Sequence, residues 1–165
     1  MLKAVDYLHS NGFAHRDIKL ENIYICGEKH NFNAKLSEFK CVVKCLSGEK
    51  IIRDKTWVGT EEYLSPETLE RVLHNPQKSD IWSLGVCLFL VVYNCFPFRS
   101  GEDIRSDRGR DIMLKNQLNR KYLIPPSIQL SLNCLQMYRL LMTPECSSRP
   151  TSKQALKHSF VKELV

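Results

Sequence analysis

The chain has 165 residues, with 24 Lys plus Arg against 18 Asp plus Glu and 43% hydrophobic residues, a balance that supports one globular domain with its own core and excludes a disordered, collagen-like or low-complexity protein. Seven cysteines make an odd count with no C-x-x-C pair, and the first residues already carry Lys3 and Asp6 in place of a secretory leader, so the thiols are read as reduced and the compartment as cytosol or nucleus. The net charge of +6 comes from scattered Lys and Arg that are not interleaved with aromatics along one face, which argues for a solvated basic surface and against a nucleic-acid partner.

Met1, Ala4, Val5 and Leu8 recur at the spacing of one helix face, and Gly12 closes that helix. Its apolar stripe is in full phase from the first residue with no capping Ser, Thr, Asp or Asn, so the chain reads as cut inside a helix. Ile23 to Ile25 and Ala34 to Leu36 are short apolar runs around a polar stretch, which predicts a small hairpin. Residues 37 to 63 show no sustained period and read as a long functional loop.

From there the pattern turns helical. Pro66 predicts a short helix through about Leu73 that Asn75-Pro76 stops, and Ser79 then predicts a cap for a helix from Asp80 to about Tyr93. That second segment is apolar nearly all round, but Ser83, Gly85, Asn94 and Pro97 interrupt the run from Ile81 to Phe98, so it is read as central core and not as a membrane span. Further helices are expected over Asp107 to Leu118 and Gln129 to Met142, and Thr151 with Gln154 forms a capping box for a last helix ending near Phe160. Cys26, His30, Cys41 and Cys45 stand at irregular spacings that do not suit zinc.

The run His15-Arg16-Asp17-Ile18-Lys19-Leu20-Glu21-Asn22 places acidic, basic and amide side chains on one loop between the first helix and the hairpin. It resembles the catalytic loop H-R-D-L-x-x-x-N of eukaryotic protein kinases. Gly59-Thr60-Glu61-Glu62-Tyr63-Leu64-Ser65-Pro66-Glu67, then Asp80-Ile81-Trp82-Ser83-Leu84-Gly85, then the lone Arg149 follow in that family's order. The resemblance covers the whole chain and implies a mainly α fold with a small β-hairpin, the C-terminal large lobe of the kinase fold with its N-lobe absent. Within it, 15–22 is the catalytic loop, 37–67 the activation segment and 68–165 a helical subdomain.

The implied activity is transfer of the ATP γ-phosphate to Ser or Thr hydroxyls of a protein substrate, with ATP and Mg²⁺ as cofactors. Asp17 is then the base, with Lys19 and Thr60 beside it in catalysis; Lys19, which also serves nucleotide binding, neutralises the transferred phosphoryl group and points to Ser/Thr rather than Tyr kinases. Asn22 is a cofactor and metal ligand, and Glu38 stands in the place of the metal-binding Asp. Arg16 resembles the residue that pairs with an activation-loop phosphate; Thr56 reads either as its phosphothreonine or as a plain loop residue. Glu67 and Arg149 resemble a buried structural ion pair, and Asp80 a carboxylate that accepts backbone bonds from the catalytic loop. Glu21 reads either as an acid that recognises substrate Arg or as a solvated surface residue. His15 is read as a structural histidine. The Gly-Thr-x-x-Tyr-Leu-x-Pro-Glu run and Glu21 lean toward the calcium/calmodulin-dependent and testis-specific kinase group.

The pattern departs from the family where Asp-Phe-Gly is expected, because the chain reads Glu38-Phe39-Lys40. Glu38 adds a methylene to the metal ligand, and Lys40 puts a cation and an expected cost of roughly 1–2 kcal/mol at a glycine position. No G-x-G-x-x-G loop and no V-A-I-K lysine occur in the 165 residues. These departures imply a second possibility, a non-catalytic pseudokinase or regulatory fragment that binds a protein partner.

Overall fold

The computed structural model describes residues 1–28, 32–47, 50–98 and 101–162. Helix α1 (Leu2–Ser10) buries Val5 and His9, and Gly12 then adopts φ +80° with the Leu46 side chain closing over it, a turn that a residue with a Cβ would strain. Strand β1 (Phe13–Ala14) follows. The expected hairpin is present as β2 (Ile23–Cys26) and β3 (Asn33–Leu36), antiparallel with Ile23 opposite Leu36 and Cys26 opposite Asn33. His30 of the cysteine-histidine set lies outside the described residues.

The described residues between 37 and 63 form more regular structure than their lack of period suggests. Strand β4 (Val43–Lys44) pairs with β1, β5 (Leu46–Ser47) pairs with β6 (Lys50–Ile51), and single 3-10 turns form at Phe39–Cys41 and Glu61–Tyr63. Pairs of two residues are too short to leave an alternating signature.

Helix α2 (Pro66–Leu69) is shorter than expected, because Arg71 takes φ 55° and ends the run. The central helix α3 (Pro76–Tyr93) starts a turn earlier than Ser79 would place it. Asn75 is its cap, accepting from the Gln77 amide at 3.0 Å, and Pro76 is its first residue; a proline with no N–H to satisfy opens a helix as readily as it stops one. Ser79 is released from capping, and its hydroxyl donates to Glu67 Oε1 at 3.0 Å. Ser106 caps α4 (Asp107–Leu118) and Ser131 caps α5 (Leu132–Leu141), the latter starting three residues inside the expected range. The Thr151 and Gln154 box caps α6 (Ser152–Ala155), and the remainder of the expected last helix is a separate α7 (Ser159–Lys162).

The core forms around α3. Ile81, Trp82, Val86 and Phe89 are fully buried, each contributing roughly 1.5–3 kcal/mol of apolar burial. Trp82 stacks on Phe98 at 5.6 Å between ring centroids, and Phe89 meets Tyr138 of α5 edge-on at 5.3 Å. The end of α5 packs directly on Gly85 of α3, where an added Cβ would stand 2.6 Å from Met142 Cγ and 2.9 Å from Leu141 Cβ. None of the described helices is long and apolar enough to cross a membrane.

Candidate active site

The loop after β1 is held from below by α3. Asp80, 1% exposed, accepts the His15 amide at 2.7 Å and the His9 ring at 2.8 Å on Oδ2, and the Arg16 amide at 2.7 Å on Oδ1. A carboxylate can only accept, so the His9 proton is on Nε2. Three donors compensate a charge that would otherwise be costly at this depth. His15 is fully buried and both its ring nitrogens meet main chain: Nε2 donates to the Ser37 carbonyl at 2.9 Å and Nδ1 accepts the Asp17 amide at 3.3 Å. It therefore ties the loop to the end of the hairpin.

Asp17, Lys19, Asn22 and Thr60 converge. Lys19 Nζ donates to Thr60 Oγ1 at 2.8 Å and lies 3.5 Å from Asp17 Oδ2, while Thr60 Oγ1 donates to Asp17 Oδ1 at 3.1 Å. Asn22, buried, donates through Nδ2 to the Asp17 carbonyl at 2.8 Å and to its carboxylate at 3.1 Å. Asp17 and Lys19 remain 17% and 22% exposed at the side chain, so an oriented carboxylate beside a cation faces solvent. Thr60 reaches this group because Gly59 lies against the Arg16 carbonyl with φ +111°, where a Cβ would come within 2.7 Å of that oxygen.

The other end of the hairpin is tied to Asn22 one residue before Glu38. Ser37 bonds the Asn22 carbonyl through both its amide and its hydroxyl, each at 3.0 Å. The positive backbone angle expected at Lys40 falls on Glu38 instead, at φ 61°, and Lys40 lies inside a 3-10 turn. That turn starts immediately after Glu38, so the chain reverses at the acid and not at the lysine. The roughly 1–2 kcal/mol of left-handed strain therefore belongs to Glu38. Lys40 pairs with Glu38 at 2.9 Å, with the two side chains 86% and 49% exposed, and Glu38 raises the Lys40 ammonium pKa through that hydrogen bond and its charge. An ion pair this exposed is weak and yields to salt.

Arg16 and Thr56 are brought near one another but do not touch. Arg16 donates through Nε to the Cys41 carbonyl at 2.7 Å and through Nη1 to Asp54 Oδ2 at 2.5 Å, and Thr56 donates its amide at 2.9 Å and its hydroxyl at 2.5 Å to Asp54 Oδ1. Asp54 is the residue that sequence reading missed. Its signal was an acid two positions before Thr56 in a segment otherwise rich in Lys and Arg. Partial burial pushes the Asp54 carboxyl up, but the bonds from Thr56 and the Arg16 guanidinium outweigh it and hold it below its ordinary value. Tyr63, also unmarked in the sequence reading, donates its hydroxyl to Glu21 at 3.2 Å, and burial, then Glu21, raise its pKa. Glu21 is exposed at the rim of this group.

Glu67 of α2 and Arg149 form a separate buried group whose hydrogen bonds do not include Asp17. Arg149, 1% exposed, spends its guanidinium on Glu67 and on three carbonyls, those of Lys78, Thr143 and Pro144. Burial alone would raise the Glu67 pKa, yet the Arg149 bonds and charge prevail and bring it down to about 2.

Asn22 and Glu38 offer an amide and a carboxylate oxygen, hard donors that suit Mg²⁺. Among the described residues no three His, Cys, Asp or Glu gather into a metal site, so these two would hold the ion only with further oxygens completing its shell. A divalent ion held there would supply positive charge to offset that of nucleotide phosphates.

The sequence model described as Protein kinase domain matches residues 1–161. The chain is 32% identical over 160 residues to Testis-specific serine/threonine-protein kinase 2 of Mus musculus, covering 96% of this chain and 42% of that protein. It is 30% identical over 161 residues to Testis-specific serine/threonine-protein kinase 3 of Homo sapiens, covering 98% of this chain and 55% of that one. Over 165 residues it is 30% identical to Serine/threonine-protein kinase SAPK3 of Oryza sativa subsp. indica, covering 99% and 47%. The chain thus spans about half the length of these relatives. Matched along nearly its whole length, the chain belongs to the protein kinase domain family.

Proposed function

We propose that the chain is the C-terminal lobe of a Ser/Thr protein kinase domain, built to orient the hydroxyl of a protein substrate for attack on the ATP γ-phosphate. The observation that carries this reading is the bonded set of Asp17, Lys19 and Thr60. Asp17 accepts the proton of the incoming hydroxyl, Lys19 offsets negative charge on the phosphoryl group, and Asn22 keeps the Asp17 carboxylate in place. Thr60 joins the segment that would receive the substrate to the base itself. Glu21, on the rim, offers a negative charge to a basic substrate residue.

The 165 residues on their own do not transfer phosphate in this reading. Phosphoryl transfer rests almost wholly on positioning and charge neutralisation, and the sequence holds no Gly-rich loop to cover a nucleotide. A second reading is favoured by the Glu38–Lys40 pair: a non-catalytic kinase-like module that acts by binding a regulatory protein partner. The test is incorporation of labelled phosphate from ATP into a basic Ser/Thr substrate with Mg²⁺ or Mn²⁺. The isolated chain should show none above background, and incorporation that Asp17→Ala abolishes overturns the claim of inactivity.

A further inference from the structure

Asp54 joins its own segment to two other stretches of chain. Oδ2 holds Arg16 of the loop that bears Asp17, Oδ1 holds the amide and hydroxyl of Thr56, and its main chain forms a two-bond bridge with His74, each bond 2.9 Å. Arg16 in turn reaches the Cys41 carbonyl just beyond the hairpin. The Arg16 and Asp54 side chains are 18% and 21% exposed, so the pair is shielded far more than the Glu38–Lys40 pair. Arg16 also has the left-handed angle φ 67° immediately before Asp17. A residue other than glycine stays there only where its surroundings over-determine it, and Asp54 is the one carboxylate hydrogen-bonded to its side chain among the described residues.

The geometry points to Asp54 as a positioning residue of the candidate site: a fixed negative charge that locks Arg16, and through it the setting of Asp17, so that the segment from Asp54 to Thr60 is ordered without a phosphate on Thr56. The inference rests on the proposed kinase reading for its meaning, not for its test. The Thr56 hydroxyl is already a donor to Asp54 at 2.5 Å. A phosphate on that oxygen would replace a hydrogen bond with repulsion between two anions and would compete with Asp54 for one guanidinium. Asp54 and a phosphorylated Thr56 are therefore alternatives.

Hydrogen exchange on the full 165-residue chain tests this without nucleotide or activity. Asp54→Ala and Asp54→Asn should speed exchange of the amides in 15–22 and 54–60 by about tenfold, the scale of losing a hydrogen bond to a charged group, while α5 amides stay as they are. Asp54→Glu should restore most of the protection. Trp57, in the same segment and flanked by the Arg71 and Arg110 guanidinium groups at 4.4 and 5.2 Å, gives a second readout. It should become more open to acrylamide quenching, with the other tryptophan, Trp82, fully buried and silent. Thr56→Glu should give no added protection in the natural chain but should rescue Asp54→Asn. Unchanged exchange in Asp54→Asn overturns the proposal. So does slower exchange in Thr56→Glu alone, and that arm decides if the Asp54 variants fail to fold by circular dichroism. Absence of phosphotransfer by the chain grafted onto the N-lobe of an active relative, with Glu38→Asp and Lys40→Gly in place, would overturn the kinase reading and leave these outcomes where they stand.

Discussion

Arg149 grips Glu67 across 82 residues of chain with two parallel hydrogen bonds, Nη1 to Oε1 at 2.7 Å and Nη2 to Oε2 at 2.9 Å. Both partners are buried, and the remaining guanidinium donors are taken by carbonyls on either side. Removing one partner leaves the other charge stranded in the interior, a loss of about 3–5 kcal/mol. Arg149→Ala should lower the urea midpoint clearly; an unchanged midpoint would mean the pair contributes nothing to the fold.

The same pair sets an acid limit. Glu67 titrates at about 2 in the folded chain against 4.5 ordinarily, so its contribution is complete above the ordinary value and is lost as pH falls from there through 2. The difference is worth about 3 kcal/mol at neutral pH. Stability measured by denaturant between pH 5 and 2 should fall along this limb, and Glu67→Gln should flatten the slope while lowering stability at pH 7. A parallel slope in that variant would assign the limb to other carboxylates.

Gly85 predicts the tightness of the α3 and α5 crossing. A Cβ there overlaps Met142 and Leu141, and overpacking of this kind costs about 1–3 kcal/mol. Gly85→Ala should lower the melting temperature, and Met142→Ala in the same chain should recover part of the loss. Two fully additive losses would show that the helices separate without this contact.

For the metal end, the decisive experiment grafts the chain onto the N-lobe of an active relative. Glu38→Asp with Lys40→Gly should raise activity by about two orders of magnitude, the scale for repositioning one ligand. Lys40→Gly alone should recover part of it, because it removes the cation that pairs with Glu38. A graft already as active as its parent before any repair would make Glu38 a competent ligand and end the non-catalytic reading.

Features with a local signal were legible in the sequence and contacts between stretches were not. The all-round apolar pattern of α3, the hairpin and the Thr151–Gln154 box each carry their signal within a few residues. The start of α3 lies a turn before the expected one because a proline signals a helix stop and a helix start alike, and only the Asn75 side chain distinguishes the two. The convergence of Asp17, Lys19, Asn22 and Thr60 followed from motif order, whereas the only local mark of Asp54 is its acid among basic residues, and that says nothing of its side-chain partner Arg16, 38 residues before it. The placement of strain at Glu38 instead of Lys40 was likewise invisible, since it depends on where the turn begins.

The buried carboxylate of Asp80 has a mechanical meaning. By taking the main-chain amides of His15 and Arg16 together with the ring of His9, it fastens the loop to both α1 and α3. Asp17 therefore cannot swing independently of the helical body, and moving it would require breaking buried bonds to a charged group. Whatever switches this site must act on the parts that lie against that anchored loop, the segment carrying Asp54 and the turn carrying Glu38.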